Sequence, residues 1–155
     1  MAVRRGSPAD EHNLFCRRNA AAHAKNKWGR FITITSSAVK QPVDGLLLSN
    51  SIRAAVAGLA RTLANEYAAH GITVNNVYPG YTRITRLDNL AATISARTGA
   101  QPEAVFADWT RQIPAGCIGT PQELSAVVAF LASERASYVN GTSIAVDGGM
   151  VRSLL

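Results

Sequence analysis

The stretch Gly71-Ile72-Thr73-Val74-Asn75-Asn76-Val77-Tyr78-Pro79-Gly80 decides how this chain is read. Ile72 to Val77 is rich in β-branched residues, too short for a helix and stopped by Pro79-Gly80, so it reads as a strand. Gly71 stands where a left-handed residue would end a preceding helix. From about Ser51 to His70, Ile52, Val56, Leu59, Leu63 and Tyr67 recur at spacings of three and four, which predicts a helix with one apolar stripe toward a sheet. Alanines and Gly58 fill much of its other side and leave room for a second helix to approach. Further upstream, Phe31 to Thr35 (FITIT) reads as another strand, bounded by Gly29 and Ser36-Ser37 and followed by a loop at Pro42 and Gly45. The alanine run from Asn19 to Lys27 predicts a helix that Gly29 closes. Residues 1–20, punctuated by Gly6, Ser7 and Pro8, show neither period and form an irregular basic segment ahead of a folded part over 21–155.

Downstream, Thr82 to Pro114 is a mostly helical excursion with apolar Val105, Phe106 and Trp109. Thr120-Pro121-Gln122-Glu123 supplies an N-cap, a proline at the first helical position and a glutamate three residues past the cap, which together make a capping box. Leu124, Val127, Val128 and Leu131 are the buried stripe of the helix it opens, and Tyr138 to Gly141 turn the chain into a strand over Thr142 to Val146, ended by Asp147-Gly148-Gly149. Strand, helix, strand, excursion, helix, strand is the alternation of an α/β layer with parallel strands and right-handed crossovers. Three strands are few for a parallel sheet, which is normally larger and covered on both faces.

Composition agrees with one globular domain: 155 residues, 47% hydrophobic and 17% charged. The formal charge of +6 is lopsided. Seven basic residues through Arg30 (Arg4, Arg5, Arg17, Arg18, Lys25, Lys27, Arg30) oppose only Asp10 and Glu11, and the rest of the chain carries +1. A basic segment without interleaved aromatics reads as solvated surface, so no nucleic-acid partner is expected. Cys16 and Cys117 are too few and too distant for a metal site or a disulfide framework, and His12, His23 and His70 have no ligand spacing; no metal is expected. The basic N-terminus lacks the apolar run of a signal peptide, Asp10 and Glu11 argue against organelle targeting, and no stretch is long enough to span a bilayer. The expected location is the cytoplasm, with no membrane partner.

Four pieces in order, ITITSS, GITVNNVYPG, IGTPQELSAVVAFLAS and YVNGTSIAVDGG, resemble the C-terminal half of the short-chain dehydrogenase/reductase family from about Gly29 to Gly149. The resemblance implies a partial Rossmann-like parallel sheet with flanking helices, its strands corresponding to the fifth, sixth and seventh of that fold. It implies NAD or NADP as cofactor and a small carbonyl or alcohol substrate. The family's TGxxxGxG turn, which brings backbone against the cofactor pyrophosphate at a helix N-terminus, has no counterpart here, so binding of a dinucleotide by this chain is doubtful.

In that family a serine orients the substrate oxygen, a tyrosine moves the proton, and a lysine four residues later lowers the tyrosine pKa and holds the ribose. The family spacing puts the serine at Ser36, Ser49 where the tyrosine belongs and Arg53 where the lysine belongs. A serine hydroxyl has no pKa near neutrality, and an arginine holds its proton too firmly to relay it; general acid/base assistance lost this way costs about 10²–10⁴ in rate. Ser36 reads equally as the polar cap of a strand end. Pro79 and Gly80 resemble the turn that meets the nicotinamide, with Ile84 where a threonine is usual and Thr85 next to it, though a plain turn fits as well. Tyr78 and Tyr81 are substitute proton donors or packing residues, Asn13 is an insecure counterpart of the family's asparagine, and His70 suits a helix C-terminus. The expected function is therefore a truncated chain of NAD(P)-dependent oxidoreductase lineage, impaired or inactive alone. The alternatives are a non-catalytic oligomerisation or interaction subunit, pairing with itself or another family subunit, and a variant enzyme using Ser49 and Arg53. In that family FITIT would pair with a fourth strand; without it FITIT becomes an apolar sheet edge, so oligomers or aggregates are expected.

Overall fold

The computed structural model describes His23 and residues 26–153. Residues 1–20, Asn13 and most of the helix expected over Asn19–Lys27 lie outside that range, although His23 and Asn26 are helical. Lys27 takes the left-handed turn (φ 50°), and Gly29 opens the first strand instead of closing the helix. A Cβ on Gly29 would lie 3.0–3.1 Å from His23 and Ile72, so close packing accounts for the glycine there.

Three parallel strands form one sheet in the order β1 (Gly29–Ile34), β2 (Ile72–Pro79), β3 (Ser143–Val146). Register is set by Gly29 opposite Ile72 and by Asn76 opposite Ser143. Helix α1 (Leu47–Tyr67), extended by a 3-10 turn over Ala68–His70, crosses from β1 to β2. Helices α2 (Thr85–Thr98) and α3 (Pro102–Gln112) form the excursion, and α4 (Pro121–Ala132) returns to β3. This is the expected partial Rossmann-like α/β arrangement.

β2 is the middle strand, and Ile72 to Tyr78 are all buried. Its alternate side chains feed two cores, as the two-residue strand period requires. Ile72 and Val74 pack with Ala60, Leu63 and Ala64 of α1, joined by Phe31 of β1. Val77 packs on the other face with Leu131 of α4 and Ala136, joined by Ile32 and Ile144. The excursion has its own core of Leu87, Ala91, Val105 and Trp109.

Boundaries depart from the sequence reading in physically explicable ways. β1 begins two residues before Phe31 and stops before Thr35, whose amide still donates to the Val77 carbonyl at 3.0 Å. β2 runs on through Pro79, because an amide-less residue is tolerated at a strand end. α1 starts a turn before Ser51, where Asn50 Nδ2 donates to the Val43 carbonyl at 2.9 Å. Its stripe is buried only in the second half: Ile52 is exposed, while Leu63 is buried and Leu59 and Tyr67 pack against the core. The small-residue side at Ala54, Ala55 and Gly58 faces outward, with no second helix against it among the described residues. In α4 only Leu131 is fully buried; Leu124, Val127 and Val128 are partly so. Gly71 is left-handed as expected (φ 70°).

Candidate functional site

The chain leaves β1 through Thr35 and Ser36 into a 3-10 turn over Ser37–Val39. Ser36 is extended, and its Oγ accepts the Ala38 amide at 3.2 Å, capping that turn. The hydroxyl proton and one lone pair remain for another partner. Ser49 and Arg53 lie one turn apart on α1. Arg53 Nε donates to Ser49 Oγ at 3.1 Å and Nη1 to the Thr35 carbonyl at 2.7 Å. The guanidinium thus ties the first turns of α1 to the exit of β1, using Ser49 as its second anchor. No hydrogen bond joins Ser36 to either residue among the described residues. An open groove of about 490 Å³ runs beside the pair, lined by Ile32, Ile34, Thr35, Ile52 and Val56 as well. Thr35 Oγ1 is buried there without a hydrogen-bond partner.

The second expected cluster sits at the end of β2. The Gly80 amide donates to the Val146 carbonyl at 3.0 Å, and a Cβ on Gly80 would lie 2.7–2.8 Å from Cβ and Cα of Asp147. Glycine is therefore required by the close approach of the two strand exits, whatever else this turn does. Ile84 occupies the N-cap of α2 with no side-chain bond to the helix, leaving Thr85 exposed in its first turn. Arg83 lies over the Phe106 ring at 4.2 Å and pairs with Asp88 at 3.4 Å.

A dinucleotide needs a glycine-rich strand-to-helix turn so that backbone amides approach the pyrophosphate. Neither such turn here, residues 35–46 or 80–84, carries more than one glycine, and the space beside Gly80 is filled by Asp147. The described residues do not make a complete dinucleotide site.

Neither substitute tyrosine is placed as a ready proton donor. Tyr78 is 2% exposed within β2, and its hydroxyl donates to Ser143 Oγ at 2.9 Å. Tyr81 stacks on Trp109 (5.0 Å, 17°), and burial, then the Asp108 charge, push its pKa above the usual phenol value. A weaker acid is a poorer donor near neutrality. His70 lies in the last turn of its 3-10 segment, and among the described residues no cluster of three His, Cys, Asp or Glu side chains could hold a metal.

Sequence reasoning missed the asparagines that fasten the sheet. Asn140 accepts the Val74 amide at 2.9 Å and donates to the Ala64 carbonyl at 3.0 Å; Asn75 donates to the Val139 carbonyl at 2.8 Å and accepts the Thr142 amide at 3.1 Å. Thr33 donates to the Asn76 carboxamide oxygen, whose Nδ2 reaches Ser143 Oγ at 3.2 Å. Asn75-Asn76 inside an apolar strand was the available signal, since buried amides need partners.

Comparison with known proteins adds to this geometry. The family described as Enoyl-(Acyl carrier protein) reductase matches residues 13–151. The chain belongs to the short-chain dehydrogenase/reductase family. It is 37% identical over 126 residues to 3-oxoacyl-[acyl-carrier-protein] reductase of Rickettsia bellii, covering 81% of this chain and 48% of that one. It is equally 37% identical over 135 residues to a diacetyl reductase of Staphylococcus aureus, covering 84% and 52%. Among solved structures, the NADPH-dependent reductase YwfH of bacilysin biosynthesis superposes with a TM-score of 0.83 at 28% identity, over 89% of this chain and 53% of that one. An actinorhodin polyketide ketoreductase with NADPH gives 0.78 at 28%, over 83% and 49%. The chain thus spans about half the length of the family relatives it matches. The three parallel strands and flanking helices of this short-chain dehydrogenase/reductase are the expected ones.

Proposed function

We propose that these 155 residues are a piece of an NAD(P)-dependent oxidoreductase scaffold in which the proton-relay pair has become a structural clamp, so that the chain by itself does not transfer hydride. One observation carries the reading: Arg53 is bonded to both Ser49 Oγ and the Thr35 carbonyl. A relay requires a group that gives up a proton near neutral pH, and neither a serine hydroxyl nor a guanidinium does so. Ser36 falls by family spacing where the substrate-orienting serine belongs, yet it lacks a partner acid, and its Oγ already caps the next turn. Relatives act on a β-ketoacyl carrier, on diacetyl or with NADPH by their names. Their chemistry comes to this chain as lineage, with the carbonyl/alcohol pair as substrate class and the cytoplasm as location.

The test is turnover. Purified 155-residue chain is mixed with NADPH or NADH and with diacetyl or a β-ketoacyl thioester, and absorbance of the reduced nicotinamide is followed. The expected trace matches the protein-free control. Ketone-dependent oxidation that is lost on substituting Ser49→Ala would mean that Ser49 does chemistry after all.

A further inference from the structure

The corner that leads into β3 carries Asn140-Gly141, the one place in the sequence where a glycine follows an asparagine. The fold requires each residue for its own reason. Asn140 commits its carboxamide to two main-chain bonds, accepting the Val74 amide at 2.9 Å and donating to the Ala64 carbonyl at 3.0 Å. Gly141 is left-handed (φ 70°), and a Cβ there would lie 2.5 Å from Arg61 Nη1, which donates to the Gly141 carbonyl at 3.0 Å. The Gly141 amide in turn donates to the Val74 carbonyl at 2.9 Å. Val74, buried in the middle strand, therefore holds both the Asn140 carboxamide and the Gly141 nitrogen.

Those two groups are an electrophile and a nucleophile. When the Gly141 nitrogen gives up its proton and attacks Cγ of Asn140, a new C–N bond closes a five-membered succinimide, and the carboxamide nitrogen leaves with a proton as ammonia. Water then opens the ring at either carbonyl, giving aspartate or isoaspartate with nothing oxidised or reduced. A side chain on the attacking residue crowds this approach, and glycine has none. Asn50, Asn75, Asn76 and Asn89 are followed by Ser51, Asn76, Val77 and Leu90.

We propose that Asn140 is a latent deamidation site, held unreactive by the closed corner, whose product no longer fits that corner, so that a transient opening becomes permanent. While the corner is closed, the attacking N–H is bonded to the Val74 oxygen and the carboxamide is pinned at both ends, so reaction waits on local opening. Afterwards a carboxylate at this position can still accept the Val74 amide, but it has no N–H for the Ala64 carbonyl and sets a charged oxygen against it. Isoaspartate also adds a carbon to the main chain just before Ser143 pairs with Asn76 at the start of β3. This is independent of whether the chain binds a nicotinamide.

To test it, the 155-residue chain is aged in mildly alkaline buffer, either folded or in guanidinium chloride, and then digested with trypsin. The peptide over residues 136–152 contains no other asparagine and no glutamine, so a gain of about one dalton in it reports Asn140 alone. Conversion is expected to be at least about tenfold slower in the folded chain. Chain aged in denaturant and refolded should melt lower than a briefly denatured control, by a shift that grows with the converted fraction. Asn140→Asp, made directly, should melt lower as well or fail to fold. Equal conversion in both conditions, no conversion in denaturant, or an unshifted melt for the aged chain or for Asn140→Asp would each overturn the proposal. The protection ratio is read on the unsubstituted chain, so it decides even where the variant does not fold.

Discussion

At the residue scale, Gly71 and Gly99 separate two reasons for a glycine. Both are left-handed (φ 70° and 74°), but a Cβ on Gly71 would meet the Lys27 carbonyl, with that oxygen 2.1 Å away, whereas the space around Gly99 is open. Gly99→Ala is expected to cost about 1–2 kcal/mol, the ordinary left-handed penalty, and Gly71→Ala clearly more, as read from urea midpoints. Equal losses would show that the Lys27 contact relaxes freely. Gly71 was legible in the sequence as a helix stop; its collision partner, 44 positions earlier, was not. The same holds for the site. Ser36, Ser49 and Arg53 were found by spacing, but the bond from Arg53 to Thr35 spans 18 residues and belongs to the packing of α1 on β1. Asn140→Ala should cost about 2–3 kcal/mol, because it orphans a buried amide and a carbonyl at once.

At the element scale, α4 was legible in detail because its start is written locally. Thr120 Oγ1 accepts the Glu123 amide, and Glu123 accepts the Thr120 amide at 2.7 Å. Thr120→Ala should cost about 1 kcal/mol. The Glu123 carboxylate is held below its usual pKa, first by the Thr120 amide and then by its hydroxyl. A folded pKa below the unfolded one means that the carboxylate stabilises the fold above the ordinary glutamate range and ceases to as pH falls through the depressed value. The stability gap between the unsubstituted chain and Glu123→Ala should therefore be present at neutral pH and shrink in acid; a gap constant from pH 7 to pH 2 would contradict the assignment. By contrast, α1 begins at Leu47 with no side-chain cap, so its start was misread by a turn. Its exposed alanine side was invisible to periodicity, which ranks faces by hydrophobicity and says nothing of whether a neighbour is there.

At the scale of the whole molecule, the three strands, their parallel order and the two-faced core followed from alternation of elements and from handedness. What alternation does not encode is which sheet edge stays open and what the helix faces meet. No helix among the described residues is long and apolar enough to cross a membrane. The central claim concerns what half of a dinucleotide-binding sheet can do, with Arg53 committed to Ser49 and Thr35. Calorimetric titration of NADPH into the 155-residue chain tests it most directly. The account predicts no saturable heat at millimolar cofactor; a one-to-one isotherm with a micromolar dissociation constant would contradict it.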